Sequence, residues 1–164
     1  MLDALFAGST SDKRIGQKII EDVVDVDRTN FLDAVPQEDI LAWCEGNRAE
    51  RYPMMAWVIT LFRQGGAKTP LEWSSTAQAL LDRAPDRLAV VTQYVRRFRP
   101  RSWSGSLAAA MEAPLMPLRA LEAHPDSAVA EFAKTEGVRL RQQVEAVRRR
   151  ETEEDKEADE RLEC

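Results

Sequence analysis

Apolar residues return every three or four positions through almost the whole chain, and that spacing constrains the fold more than any other feature. Ile15, Ile19, Ile20, Val23 and Val24 form one stripe, and Phe31, Leu32 and Val35 a shorter one. Ile40, Leu41, Trp43 and Cys44 follow Pro36, which suits a first helical position because the N–H it lacks has no intrahelical partner there. Gly46-Asn47 stops that helix. Met54, Met55, Trp57, Val58, Leu61 and Phe62 predict the next, ended by Gly65-Gly66. Thr69-Pro70 opens a helix with Leu71, Trp73, Ala77, Leu80 and Leu81, and Pro85-Asp86 separates it from one carrying Leu88, Val91, Tyr94, Val95 and Phe98. Pro100 ends that helix, since the residue before a proline is driven out of α geometry. Ser102 to Ser106 opens a helix reaching about Ala123, which Pro114 and Pro117 kink or divide. A last helix runs from about Asp126 into the tail, with Gly137 as a candidate break. The one strand candidate, Leu88 to Thr92, sits inside a helical stripe, so the pattern predicts an all-α fold.

The recurrence of helix pairs predicts more. Pairs open near Pro36, Pro70 and Ser102, spaced 34 and 32 residues apart, and Trp73 and Trp103 stand 30 apart near the starts of successive pairs. Helix–turn–helix units at such a period stack into α-solenoids, where each unit buries its faces against its neighbours. The expected organisation is a single helical-repeat domain over residues 1–150, a short right-handed solenoid of antiparallel pairs with a long terminal helix, followed by an acidic tail over 151–164. An irregular helical bundle is the alternative.

Residues 31–56, FLDAVPQEDILAWCEGNRAERYPMMA, resemble a HEAT-type repeat, with a second helix opening at Arg51-Tyr52-Pro53. Residues 103–126, WSGSLAAAMEAPLMPLRALEAHPD, resemble the final units of bacterial HEAT-like (HEAT/armadillo-like) arrays, although Pro114 and Pro117 depart from the usual pattern. The resemblance spans roughly residues 30 to 160. It implies a scaffold or recognition surface, including use as a sensor or C-terminal region of a larger bacterial assembly.

Signals for catalysis are thin, and the expectation is a non-enzymatic protein with no catalytic residues, cofactor or metal. The single histidine, His124, reads as a turn residue beside a helix N-terminus, and it has no cysteine or second histidine nearby to build a zinc site. Ser104-Gly105-Ser106 lacks the G-x-S-x-G elbow and its preceding strand, and reads as a helix opening with Ser102 or Ser104 as cap. Gly65 to Thr69 lacks phosphate-loop spacing. Asp25 and Asp27 read as a solvated helix end. Cys44 and Cys164 form no disulfide framework, the N-terminus carries acidic Asp3 where a signal peptide would be basic, and no apolar run approaches membrane-spanning length. These features predict a cytoplasmic protein without a membrane segment.

The chain carries a net charge of −5, so any polyanion site must be a local patch. Residues 94–103, YVRRFRPRSW, provide one in Arg96, Arg97, Arg99 and Arg101. Tyr94 and Phe98 belong to the apolar stripe and are expected in the core, with Trp103 as a packing residue that seats the next helix. The arginines are expected at the surface, where cations also complement a helix C-terminus. They are the candidate partner-binding residues. The primary expectation is a protein partner and the alternative is nucleic acid; if the chain is a fragment of a larger array, it is expected to expose apolar residues such as Leu2, Leu5 and Phe6 and to self-associate. The tail from Glu151 to Cys164 has eight acids and two bases, net −6, and the stripe Leu140, Val144, Val147 gives way to Glu151 and Glu154. Packing is therefore expected to end near Val147.

Overall fold

A computed structural model of the chain describes residues 31–63, 70–100 and 102–162. The stripe from Ile15 to Val24, the segment Gly65 to Thr69, and Arg101 lie outside them. The described chain is mainly helical, in agreement with an all-α expectation. A 3-10 turn (Phe31–Ala34) precedes α1 (Gln37–Glu45) and α2 (Arg48–Val58). Short strands β1 (Phe62–Arg63) and β2 (Glu72–Trp73) then pair, followed by α3 (Ser75–Arg83) and α4 (Arg87–Arg96). The rest is α5 (Leu107–Glu112), α6 (Leu115–Ala120), a 3-10 turn (Leu121–Ala123) and α7 (Ser127–Leu162). The chain divides into two compact units, one holding the described residues to Arg63 with Trp73–Tyr94, the other holding residues 70–72 and those from Val95 onward.

In the first unit the apolar stripes pack as their spacing requires. Ile40, Leu41 and Cys44 of α1, Tyr52, Met55 and Ala56 of α2, and Leu80, Val90 and Val91 of α3 and α4 are all buried. Trp73 stacks at 5.0 Å from Phe62 and 5.4 Å from Tyr94, and the Tyr94 hydroxyl donates to Ala77 O at 2.9 Å, which satisfies its polar end inside the core. Arg51 closes the α1–α2 turn by donating from Nη1 to Trp43 O at 2.8 Å and lying 4.4 Å from the Trp43 ring centroid. A Cβ on Gly46 would stand 2.7 Å from that nitrogen, so a larger residue there would require the Arg51 guanidinium to shift.

Helix ends differ from the expected ones where local chemistry overrides periodicity. The second helix opens at Arg48 and carries Pro53 at the sixth of its eleven positions, where the proline forfeits the hydrogen bond to the Ala49 carbonyl. It stops at Val58, where the β-branched run Val58-Ile59-Thr60 turns extended, so Leu61 and Phe62 leave the helix for a strand. The next helix opens at Ser74 instead of Thr69-Pro70. Ser74 Oγ accepts from Ala77 N at 3.1 Å and donates to Thr60 O at 2.6 Å, while its backbone N–H donates to Leu61 O at 2.8 Å. Leu71 and Trp73 therefore enter along extended chain. No alternating pattern announced this strand pair, because each strand is only two residues long.

In the second unit the prolines act as expected. Pro114 separates α5 from α6, and Pro117 falls in the first turn of α6, where its missing donor costs nothing. Asp126 caps α7, its Oδ1 accepting from Ala128 N at 3.0 Å, as Asp86 Oδ1 caps α4 through Ala89 N at 2.9 Å. Ala108, Met111 and Val144 form a buried cluster with Leu107, Leu140 and Val147 against it. Gly137 does not break α7. It is buried against Leu118 and Glu122, and a Cβ there would meet Glu122 Oε1 at 3.7 Å and Leu118 Cδ2 at 4.0 Å, ordinary contact distances.

Two outcomes follow for urea denaturation monitored by circular dichroism. Gly137→Ala stabilises the protein by about 0.5–1 kcal/mol, since the methyl fits and helix-interior glycine is entropically costly. Ser74→Ala destabilises it by about 1 kcal/mol through loss of the cap.

Candidate functional site

The basic turn lies between α4 and α5. Tyr94 and Phe98 are buried, at 1 % and 5 % exposure, so neither can stack on a base or a partner's side chain. Arg96, the last residue of α4, and Arg99 are exposed, and Arg97 is half-buried. Arg101 is outside the described residues. Trp103 overturns its expected packing role, with 52 % of its surface exposed. The α5 helix does not need it as a seat, because other groups fix the helix start.

Those groups are Ser106 and Glu151. Ser106, and neither Ser102 nor Ser104, is the cap residue of α5, its Oγ accepting from Ala109 N at 3.1 Å. Gly105 precedes it at φ 77°, a conformation that glycine adopts without a Cβ penalty. Glu151 of α7 reaches the same helix end from 44 residues away. Its Oε1 accepts from Leu107 N at 2.5 Å and Ala108 N at 3.3 Å, and its Oε2 accepts from Ser106 Oγ at 2.8 Å. One carboxylate thus answers two backbone donors that a helix start leaves unmet, at the end of the helix where negative charge is favoured. The Ser106 hydrogen bond, with lesser help from the Ala108 and Leu107 amides and from Arg148, holds the Glu151 carboxyl below the usual glutamate range against the opposing effect of burial. Arg148, one turn earlier, donates to Glu112 at 2.7 Å and Glu145 at 2.8 Å.

Contact along α7 therefore runs one helical turn beyond the expected limit at Val147. Glu151 sits at the next position of the Leu140–Val144–Val147 stripe, so the geometry was encoded in the spacing. A carboxylate on an otherwise apolar stripe was the signal. Beyond it Thr152 to Lys156 are exposed.

The remaining chemical candidates are engaged structurally. His124 Nδ1 accepts from Asp126 N at 3.0 Å, which fixes the ring in the turn before α7. Burial pushes the Cys44 thiol up to about 12, which suits a small core residue and not a nucleophile. The Tyr52 hydroxyl donates to Glu45 Oε1 at 2.5 Å. Among the described residues no three His, Cys, Asp or Glu side chains gather to hold a metal ion, and no helix is long and apolar enough to cross a membrane. Asp25 and Asp27 lie outside the described residues. Comparison of the chain with protein-family models, with curated proteins and with solved structures finds no match.

Because its folded-state pKa is lowered, Glu151 stabilises the fold above the ordinary glutamate range, and that contribution disappears as pH falls through its depressed value. Wild type is therefore more resistant to urea than Glu151→Gln at neutral pH. The gap closes on acidification, as read from paired urea titrations across a pH series.

Proposed function

We propose that the chain is a non-enzymatic interaction module, a short HEAT-like α-solenoid that presents its basic turn to a protein partner. The observation that carries this reading is the separation of roles within one turn. Its interleaved aromatics Tyr94 and Phe98 are buried, while Arg96, Arg99 and Trp103 are exposed. An exposed tryptophan beside arginines is the composition of an interface anchor, because these two residue types dominate the energetically important positions of protein contacts. The consecutive helix pairs α1–α2 and α3–α4, whose first helices start at Gln37 and Ser75, support the repeat reading. The resemblance to bacterial HEAT-like arrays supports a scaffold or sensor role in a cytoplasmic assembly, with self-association as one form of partnership.

The second reading is nucleic-acid binding, and Trp103 is the observation in its favour. It supplies the one open stacking face that the buried Tyr94 and Phe98 do not. The arginines would then contact phosphates.

Fluorescence anisotropy with a labelled acidic peptide, duplex DNA, single-stranded DNA and RNA separates the two readings. The comparison is wild type against a variant with Arg96, Arg97, Arg99 and Arg101 all changed to alanine, checked for retained helicity. The expected outcome is binding to the acidic peptide that the variant loses, with no binding to nucleic acid. Nucleic-acid binding with a log–log salt slope near about −3.6, the value for ~4 neutralised phosphates on duplex DNA, would replace the protein-partner reading.

A further inference from the structure

The Glu151 contact determines where the acidic end of α7 runs. Three of its partners lie at the start of α5: Ser106 Oγ, Leu107 N and Ala108 N. Further along, Met111 of α5 packs with Val144, and Glu112 pairs with Arg148. As α5 advances from residue 107 to 112, its contacts on α7 step back from 151 toward 144, so the two helices are antiparallel. The start of α5, where the basic turn ends, and the position on α7 from which its acidic end continues therefore lie at the same end of the contact.

Spacing then selects the side chains nearest that end. Glu154 and Asp155 stand three and four residues after Glu151, so they share its helical face one turn on, with a rise of about 4.5–6 Å. Trp103 is three residues before Ser106, which limits their Cα separation to about 11 Å. Glu154, Asp155 and Trp103 are all exposed. Residues 151–162 hold seven acids and two bases, net −5, against the arginine-rich run 96–101.

We propose that the acidic end of α7 screens the basic turn from within the same chain. Glu154 and Asp155, carried past the α5 start by the Glu151 clasp, hold a negative field over the turn that bears Trp103, and an acidic partner must displace that field to reach the arginines. This inference rests on the reading of the turn as the binding surface, and it specifies how access to that surface is controlled.

The test uses the full chain, wild type and Glu154→Gln/Asp155→Asn, each with and without Trp103→Phe, so that the Trp103 emission is obtained by difference. Both changed acids are exposed, and Glu151 is left in place to preserve the clasp. Quenching by iodide and by caesium reads the local potential at Trp103, with acrylamide as the neutral control. The expected result is about a twofold rise in the iodide quenching constant and a fall in the caesium constant on neutralisation, with acrylamide unchanged. Equal iodide and caesium constants in the two proteins would overturn the proposal. A labelled poly-glutamate peptide provides the second readout, with about threefold tighter binding expected for the neutralised protein. If neither protein binds the peptide while the quenching constants still shift, the screen stands and the protein-partner reading of the turn fails. If both bind it equally and the constants do not move, the turn is a binding surface without a screen.

Discussion

Unmet backbone hydrogen bonds govern this fold. Helices α5 and α6 are six residues long, so the donors and acceptors left open at their ends outnumber those paired within them. Helices of that length do not persist alone in water, and each must be completed by its surroundings. Ser106 and Glu151 complete α5, Asp126 completes α7 and Ser74 completes α3. Ser74 also ties its helix start to the end of the preceding extended segment through Thr60 and Leu61. Apolar burial holds these pieces together, but side-chain caps decide where α3, α5 and α7 begin.

That division explains what was legible in the sequence. Periodicity located the buried faces well: Ile40, Leu41, Val91, Tyr94 and Val144 are all in the core. Proline and aspartate marked the starts of α4 and α7, because their chemistry is local. The strand pair and the true start of α3 were not legible, since they depend on Ser74 bonding to residues 13 and 14 positions earlier. Leu88 falls on the apolar stripe by its spacing but is 41 % exposed, because the α4 face that packs is centred on Val90, Val91 and Tyr94.

The candidate surface was partly legible for the same reason. That Tyr94 and Phe98 would be buried followed from their four-residue spacing with the core, and the exposure of Arg96 and Arg99 followed from their being off that face. Trp103 did not follow. Size and apolarity suggested packing, yet the start of α5 is secured by a carboxylate from another helix and the indole faces solvent.

The long terminal helix is held along one face between two residues, Gly137 against α6 and the turn after it, and Glu151 at the start of α5. They lie fourteen residues apart, close to four full turns, so both fall on one side of the rod. Adding or removing a single residue between them would swing Glu151 by about 100° and strand the two amides it serves. A seven-residue insertion would restore the phase but carry Glu151 about 10 Å further along the axis, so the number of residues between the two contacts is fixed as firmly as the side of the helix they share.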